Sequence, residues 1–165
     1  MMTFLGSCGT IDNLRLPEVF FTLKEEEKID WLRINLTPDS VARLICNNAS
    51  DLDTLMRIED IGATLRVLYT QYNDSDRYVF GNEVNRHSAA LPSQNKMKLY
   101  KRAQWDNPRR LGYMYGKDCC LNQTDTISVA SDLRALKEIC DNEDSYFQLF
   151  REGMETAVKI IQKSN

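Results

Sequence analysis

The sequence is poor in the residues that most often carry catalysis. Its one histidine, His87, lies in the polar stretch Asn85-Arg86-His87-Ser88, which reads as an exposed loop. Acid–base or metal chemistry built on imidazole therefore has a single residue to draw on. The phosphate-cradling GxGxxG and GxxxxGK[ST], the zinc-binding HExxH and the nucleophile-bearing GxSxG are all missing. No apolar run approaches the roughly 18–20 residues of a membrane span, so no membrane association is expected. The start, Met1 to Cys8, has no basic flank and too short an apolar stretch for a secretory signal. An intracellular location, cytoplasmic or nuclear, is expected. The five cysteines, Cys8, Cys46, Cys119, Cys120 and Cys140, are odd in number and irregularly spaced, which predicts reduced thiols rather than a disulfide framework. The net charge of −3 gives no global attraction to nucleic acid. These absences point to a non-enzymatic protein with no catalytic residue, no cofactor and no metal.

What is present is an ordinary globular composition, 42% apolar and 27% charged, in a chain of 165 residues long enough to bury its own core. Thr22 with Glu25 forms a capping box, and the three glutamates that follow suit the positive end of a helix dipole. Ile29, Leu32 and Leu36, with Trp31 beside them, then repeat at helical spacing. Thr37-Pro38 opens a short second helix carrying Val41, Leu44 and Ile45. Ser50 caps a third, whose stripe runs Leu52, Leu55, Ile58, Ile61, Leu65, Leu68 and Tyr72 in steps of three and four. Asn73-Asp74-Ser75-Asp76 ends it. Four Asn-x-Ser/Thr sequons begin at Asn35, Asn48, Asn73 and Asn122, and we read them as turn and cap chemistry.

Residues 74–125 change character, with more Asn, Ser, Pro and Gly and fading periodicity. From Pro92 to Cys120, seven basic residues face Asp106 and Asp118, which gives the segment +5 and leaves −8 for the remainder. Lys96 to Trp105 fits a short helix, and Leu111 to Tyr115 a short strand or turn. The last segment is helical again. Ala130, Leu133, Leu136 or Lys137, and Cys140 share a face, Asp141-Asn142 breaks the pattern, and Phe147, Phe150, Met154, Ala157, Val158 and Ile161 form a second stripe. Gly153 inside it suits close approach of another helix. The expected fold is mainly α, with about five helices in three units: helical 18–73, an irregular basic connection 74–125, and a C-terminal helical pair 126–165 packing on the first unit or on a second copy.

The run KEEEKIDWLRINLTPDSVARLI followed by DLDTLMRIEDIGATL resembles the C-terminal capsid lobe of gypsy-type retrotransposon Gag proteins and of Arc-like domesticated capsids. The likeness covers about residues 18–72. It rests on an acidic helix, the Leu36-Thr37-Pro38 junction, a short helix, and Leu52, Leu55, Arg57, Ile58 and Glu59 on a longer one. The major homology region and first lobe helix of that family have no counterpart in Met1–Pro17. WDNPRRLGYMYGKDCC, residues 105–120, is similar to a zinc knuckle with its ligands missing, so the likeness implies no metal there.

The resemblance implies self-association as a homodimer or larger assembly. Trp31, Phe147, Phe150, Met154 and Val158 are the candidate protein-interface residues. A second expectation is single-stranded nucleic-acid binding by Lys96, Lys98, Lys101, Arg102, Trp105, Arg109 and Arg110, with cations on phosphates and aromatics stacked on bases. A third is a small viral or host immune-modulating protein that occupies a groove on a host partner.

Overall fold

Side chains or a proline mark the start of most of the described helices. The computed structural model describes residues 17–49, 52–141 and 143–164, without the side chains of 48, 52–61 and 164. A 3-10 turn, Glu18–Thr22, spends the Thr22 hydroxyl on the Val19 carbonyl at 2.7 Å. The expected box is therefore displaced by two residues: α1 (Glu25–Asn35) starts behind Lys24, whose backbone N–H donates to Glu27 Oε1 at 3.0 Å. α2 (Pro38–Ala49) takes Pro38 as its first residue, and α3 (Leu52–Gln71) follows, with Leu65 and Leu68 buried. The expected Ser50 cap and the stripe from Leu52 to Ile61 lie outside the described side chains, as does Cys8.

The segment 74–125 is helical, not irregular. It forms α4 (Asp74–Ser88), α5 (Ser93–Ala103) and α6 (Pro108–Leu121). Asn73, read from sequence as a helix end, caps the next helix instead, its Oδ1 accepting the Asp76 N–H at 2.8 Å. Asn107 does the same for Arg110 at 3.0 Å, with Pro108 in the first helical position. The Asn and Pro that suggested irregularity are start signals. Leu111 to Tyr115 is helix, not strand or turn, and His87 sits half-buried in the last turn of α4, not in a loop. α7 (Thr126–Ile139) starts behind Asp125, which accepts the Ser128 N–H at 2.7 Å, and α8 (Tyr146–Ser164) closes the chain. The described residues hold eight α-helices and no strand, rather than about five helices.

An aromatic spine runs through the core. Phe80 meets Trp105 edge-on at 5.4 Å between ring centres, Trp105 meets Tyr100 at 5.6 Å, and Tyr100 meets Phe150 at 5.9 Å. The C-terminal helices join this core through the middle segment: Tyr146 donates to the Tyr100 carbonyl at 2.8 Å, α7 packs on α5, and α8 lies along α6. The α6–α8 contact is between backbones. A Cβ on Gly112 would fall on the Phe150 carbonyl, and one on Gly153 on the Arg109 carbonyl. The close approach expected of Gly153 is present, and its partner is α6. The buried face of α7 differs from the expected stripe: Asp132, Ala135 and Leu136 point inward, while Ala130 is exposed.

Candidate functional site

Two recesses flank α7. The first is polar. Where the end of α4 meets α5, α6 and α7, a cleft of about 450 Å³ opens among Ser93, Lys96, Tyr115, Asp118, Ser131 and Asp132. Asp132 is 2% exposed and its carboxylate accepts from three side chains. Oδ1 accepts the Ser93 hydroxyl at 2.6 Å, and Oδ2 accepts Lys96 Nζ at 2.8 Å and the Tyr115 hydroxyl at 2.7 Å. Ser131 Oγ lies 3.0 Å from Ser93 Oγ. Beneath them Tyr100 donates to Asn85 Oδ1, and Asn85 Nδ2 donates to the Met114 carbonyl at 3.3 Å. Burial pushes both phenols, Tyr100 and Tyr115, above the usual tyrosine range, so they serve as neutral donors. Burial likewise raises Asp118 and Cys119, with Lys96 opposing the shift in each. Asp118 Oδ1 accepts Asn122 Nδ2 at 2.8 Å. A buried Asp–Lys pair is a weak stabiliser, since desolvation offsets most of the attraction. What it provides here is fixed placement of polar groups at the wall of a cleft.

The second recess is mostly apolar. α7 and α8 diverge over α6 and leave a groove of about 460 Å³. Gly116, Cys119 and Cys120 form its α6 side, Val129, Ala130 and Leu133 its α7 wall, and Met154 and Val158 its α8 wall. Leu121, 65% exposed at the end of α6, directly follows Cys120 of the groove wall, whereas Ile127, 81% exposed on the first turn of α7, lines the polar cleft on the other flank.

The candidate residues distribute unevenly over these features. Met154 and Val158 line the groove, whereas Phe150 is fully buried in the core, and Phe147 and Trp31 pack half-buried against it. Trp31 meets Phe20 edge-on at 5.6 Å. The basic set does not form one surface. Trp105 is 2% exposed between Phe80 and Tyr100, where it cannot stack on a base while the core is intact. Lys96 is turned into the polar cleft. Lys101 pairs with Asp144 at 2.6 Å, Arg109 bonds Glu152 through Nε and Nη2, and Arg110 lies 3.7 Å from Asp106. Arg66, Lys101 and Arg102 do share a shallow polar recess, while Lys98 is half-buried elsewhere on α5.

Sequence reasoning missed Asp132 and Tyr115. Their signal was an acidic residue on the buried face of α7 opposite a lysine of α5, which only the helix pairing reveals. His87 was set aside as a loop residue, yet its Nε2 lies 3.0 Å from Glu83 Oε2 and 3.2 Å from Arg43 Nε. Asn35 and Asn122, read as turn and cap chemistry, do lie at helix ends, each bonding a carbonyl four residues back. Among the described residues no three His, Cys, Asp or Glu side chains are grouped to hold a metal ion. No helix there is long and apolar enough to cross a membrane. No family model, no curated protein and no solved structure matches the chain.

Proposed function

We propose that the chain is a non-enzymatic protein-interaction module that associates with a second copy of itself through the α6–α7–α8 groove. The observation that carries this reading is an apolar recess with a large exposed apolar side chain next to its wall. The groove is walled by Val129, Leu133, Met154 and Val158, with Cys120 on its α6 side, and the residue after Cys120, Leu121, is 65% exposed. A two-fold interface is built from one patch meeting itself, so it needs projection and recess together on that patch. The pairing seats Leu121 of each copy in the groove of the other, removing apolar surface from water at about 25 cal/mol per Å². The Gag-like resemblance of residues 18–72 is consistent with self-association, but the surface argued here lies in α6 to α8.

The test is solution mass by light scattering over a wide concentration range. A concentration-dependent rise from one chain mass, 19.1 kDa, to twice that value supports the reading. A mass of one chain throughout overturns it.

A further inference from the structure

The polar cleft on the other flank of α7 has bonding capacity that the protein itself does not use. Lys96 has three ammonium N–H donors, and the structure engages one of them, on Asp132. Asp118 accepts from Asn122 on Oδ1, and among the described residues Oδ2 has no donor. Both side chains line the same cavity of about 450 Å³. Ser131, also in the wall, has its hydroxyl 3.0 Å from Ser93, whose own proton is committed to Asp132. The oxygen of Ser131 is therefore open to a donor from the cavity.

Charge selects among ligands. Asp118 and Asp132 against Lys96 leave the cleft with one negative charge when Asp118 is ionised. Asp132 is paired with Lys96 at 2.8 Å, so the excess resides at Asp118. A carboxylate or phosphate ligand would face both aspartates, and a purely apolar ligand would strand Lys96 and Asp118 away from water. A monocation with hydroxyl groups matches every open position. Its ammonium neutralises Asp118, one hydroxyl accepts from Lys96, and another donates to Ser131. We propose that the cleft between α5, α6 and α7 binds a small hydroxylated amine, held by Asp118 and Lys96. This inference rests on Asp118, Lys96 and Ser131, none of which lines the apolar groove.

Three probes of one shape separate the contributions: 2-amino-1,3-propanediol, isopropylamine, which lacks the hydroxyls, and glycerol, which lacks the amine. Each is titrated into the full chain while backbone amide shifts are followed by NMR. The aminodiol is expected to saturate shifts around Asp118, Lys96 and Ser131 at millimolar concentration, and the other two are expected to bind roughly tenfold more weakly or not at all. Asp118→Asn, which keeps the Asn122 contact, is expected to lower aminodiol affinity by roughly tenfold. Absence of saturable shifts with the aminodiol overturns the proposal. So does equal response to isopropylamine, or undiminished binding by Asp118→Asn. Should that variant fail to fold, the three probes on the unaltered chain still decide.

Discussion

At the scale of single residues, the polar contacts set where helices start and how stability responds to pH. Lys101 and Asp144 tie the end of α5 to the residues just before α8 at 2.6 Å. The Lys101 hydrogen bond, then the Tyr146 N–H, hold the Asp144 carboxyl below its ordinary 3.8. The Asp144 bond in turn raises Lys101 above its ordinary 10.5. The Asp144 contribution is complete above 3.8 and is lost as pH falls through its lowered value. That of Lys101 is complete below 10.5 and is lost as pH rises through its raised value. Asp144→Asn is expected to cost about 0.5–1 kcal/mol at neutral pH, since the pair is partly exposed, and less in acid, as read by urea denaturation across pH. Leu32 is a harsher test. It is 1% exposed, and Leu32→Asp places an unpaired charge in the core, at a cost of about 3–5 kcal/mol by thermal melting. Unchanged melting would show that α1 turns a different face inward. The start of α2 at Pro38 was legible at this scale, because a proline acts on its own turn, whereas Asn73 was read as ending a helix when it caps the next one. His87 was illegible because Arg43 reaches it from 44 residues away.

At the scale of elements, α6 and α8 form the tightest unit, and glycines make it possible. Gly112, Gly116 and Gly153 lie at the crossing where each backbone meets the other. Helix propensity alone favours Gly→Ala by about 1 kcal/mol. At Gly153 the new methyl would collide with the Arg109 carbonyl, which is backbone and cannot step aside. Gly153→Ala is therefore expected to lower stability by about 1–3 kcal/mol despite the propensity gain. Gly81 supplies the contrast, since a methyl there meets only the end of the Met114 side chain, which can rotate away. Gly81→Ala is expected to lie within about 1 kcal/mol of the parent in the same denaturation assay. From sequence, Gly112 and Gly116 among basic and aromatic residues looked like loop composition. Their meaning as a crossing depends on α8, some 40 residues onward, which no local window contains. The long apolar stripe of α8 was legible because six of its residues keep the helical period without interruption.

At the scale of the whole molecule, helical class was legible and assembly was not. Periodicity in 18–73 and 126–165 pointed to helices, and helices are found there. The placement of the middle segment was hidden, because α4 to α6 are the centre of the core rather than a connection around it. Trp105 read as part of an aromatic-basic surface, yet it lies in the core with Tyr100, Tyr115, Phe80 and Phe150. Two recesses remain on the flanks of α7, and self-association is assigned to the apolar one. Leu121→Glu alters a side chain that is 65% exposed, so the fold should tolerate it, whereas Ile34→Glu alters a 71% exposed residue on α1, away from the groove. Sedimentation equilibrium on both variants and the parent is the most direct measurement. A monomer is expected for Leu121→Glu, with a dimer retained by Ile34→Glu and the parent. A dimer that persists in Leu121→Glu, or one lost in Ile34→Glu alone, would contradict self-association through the groove.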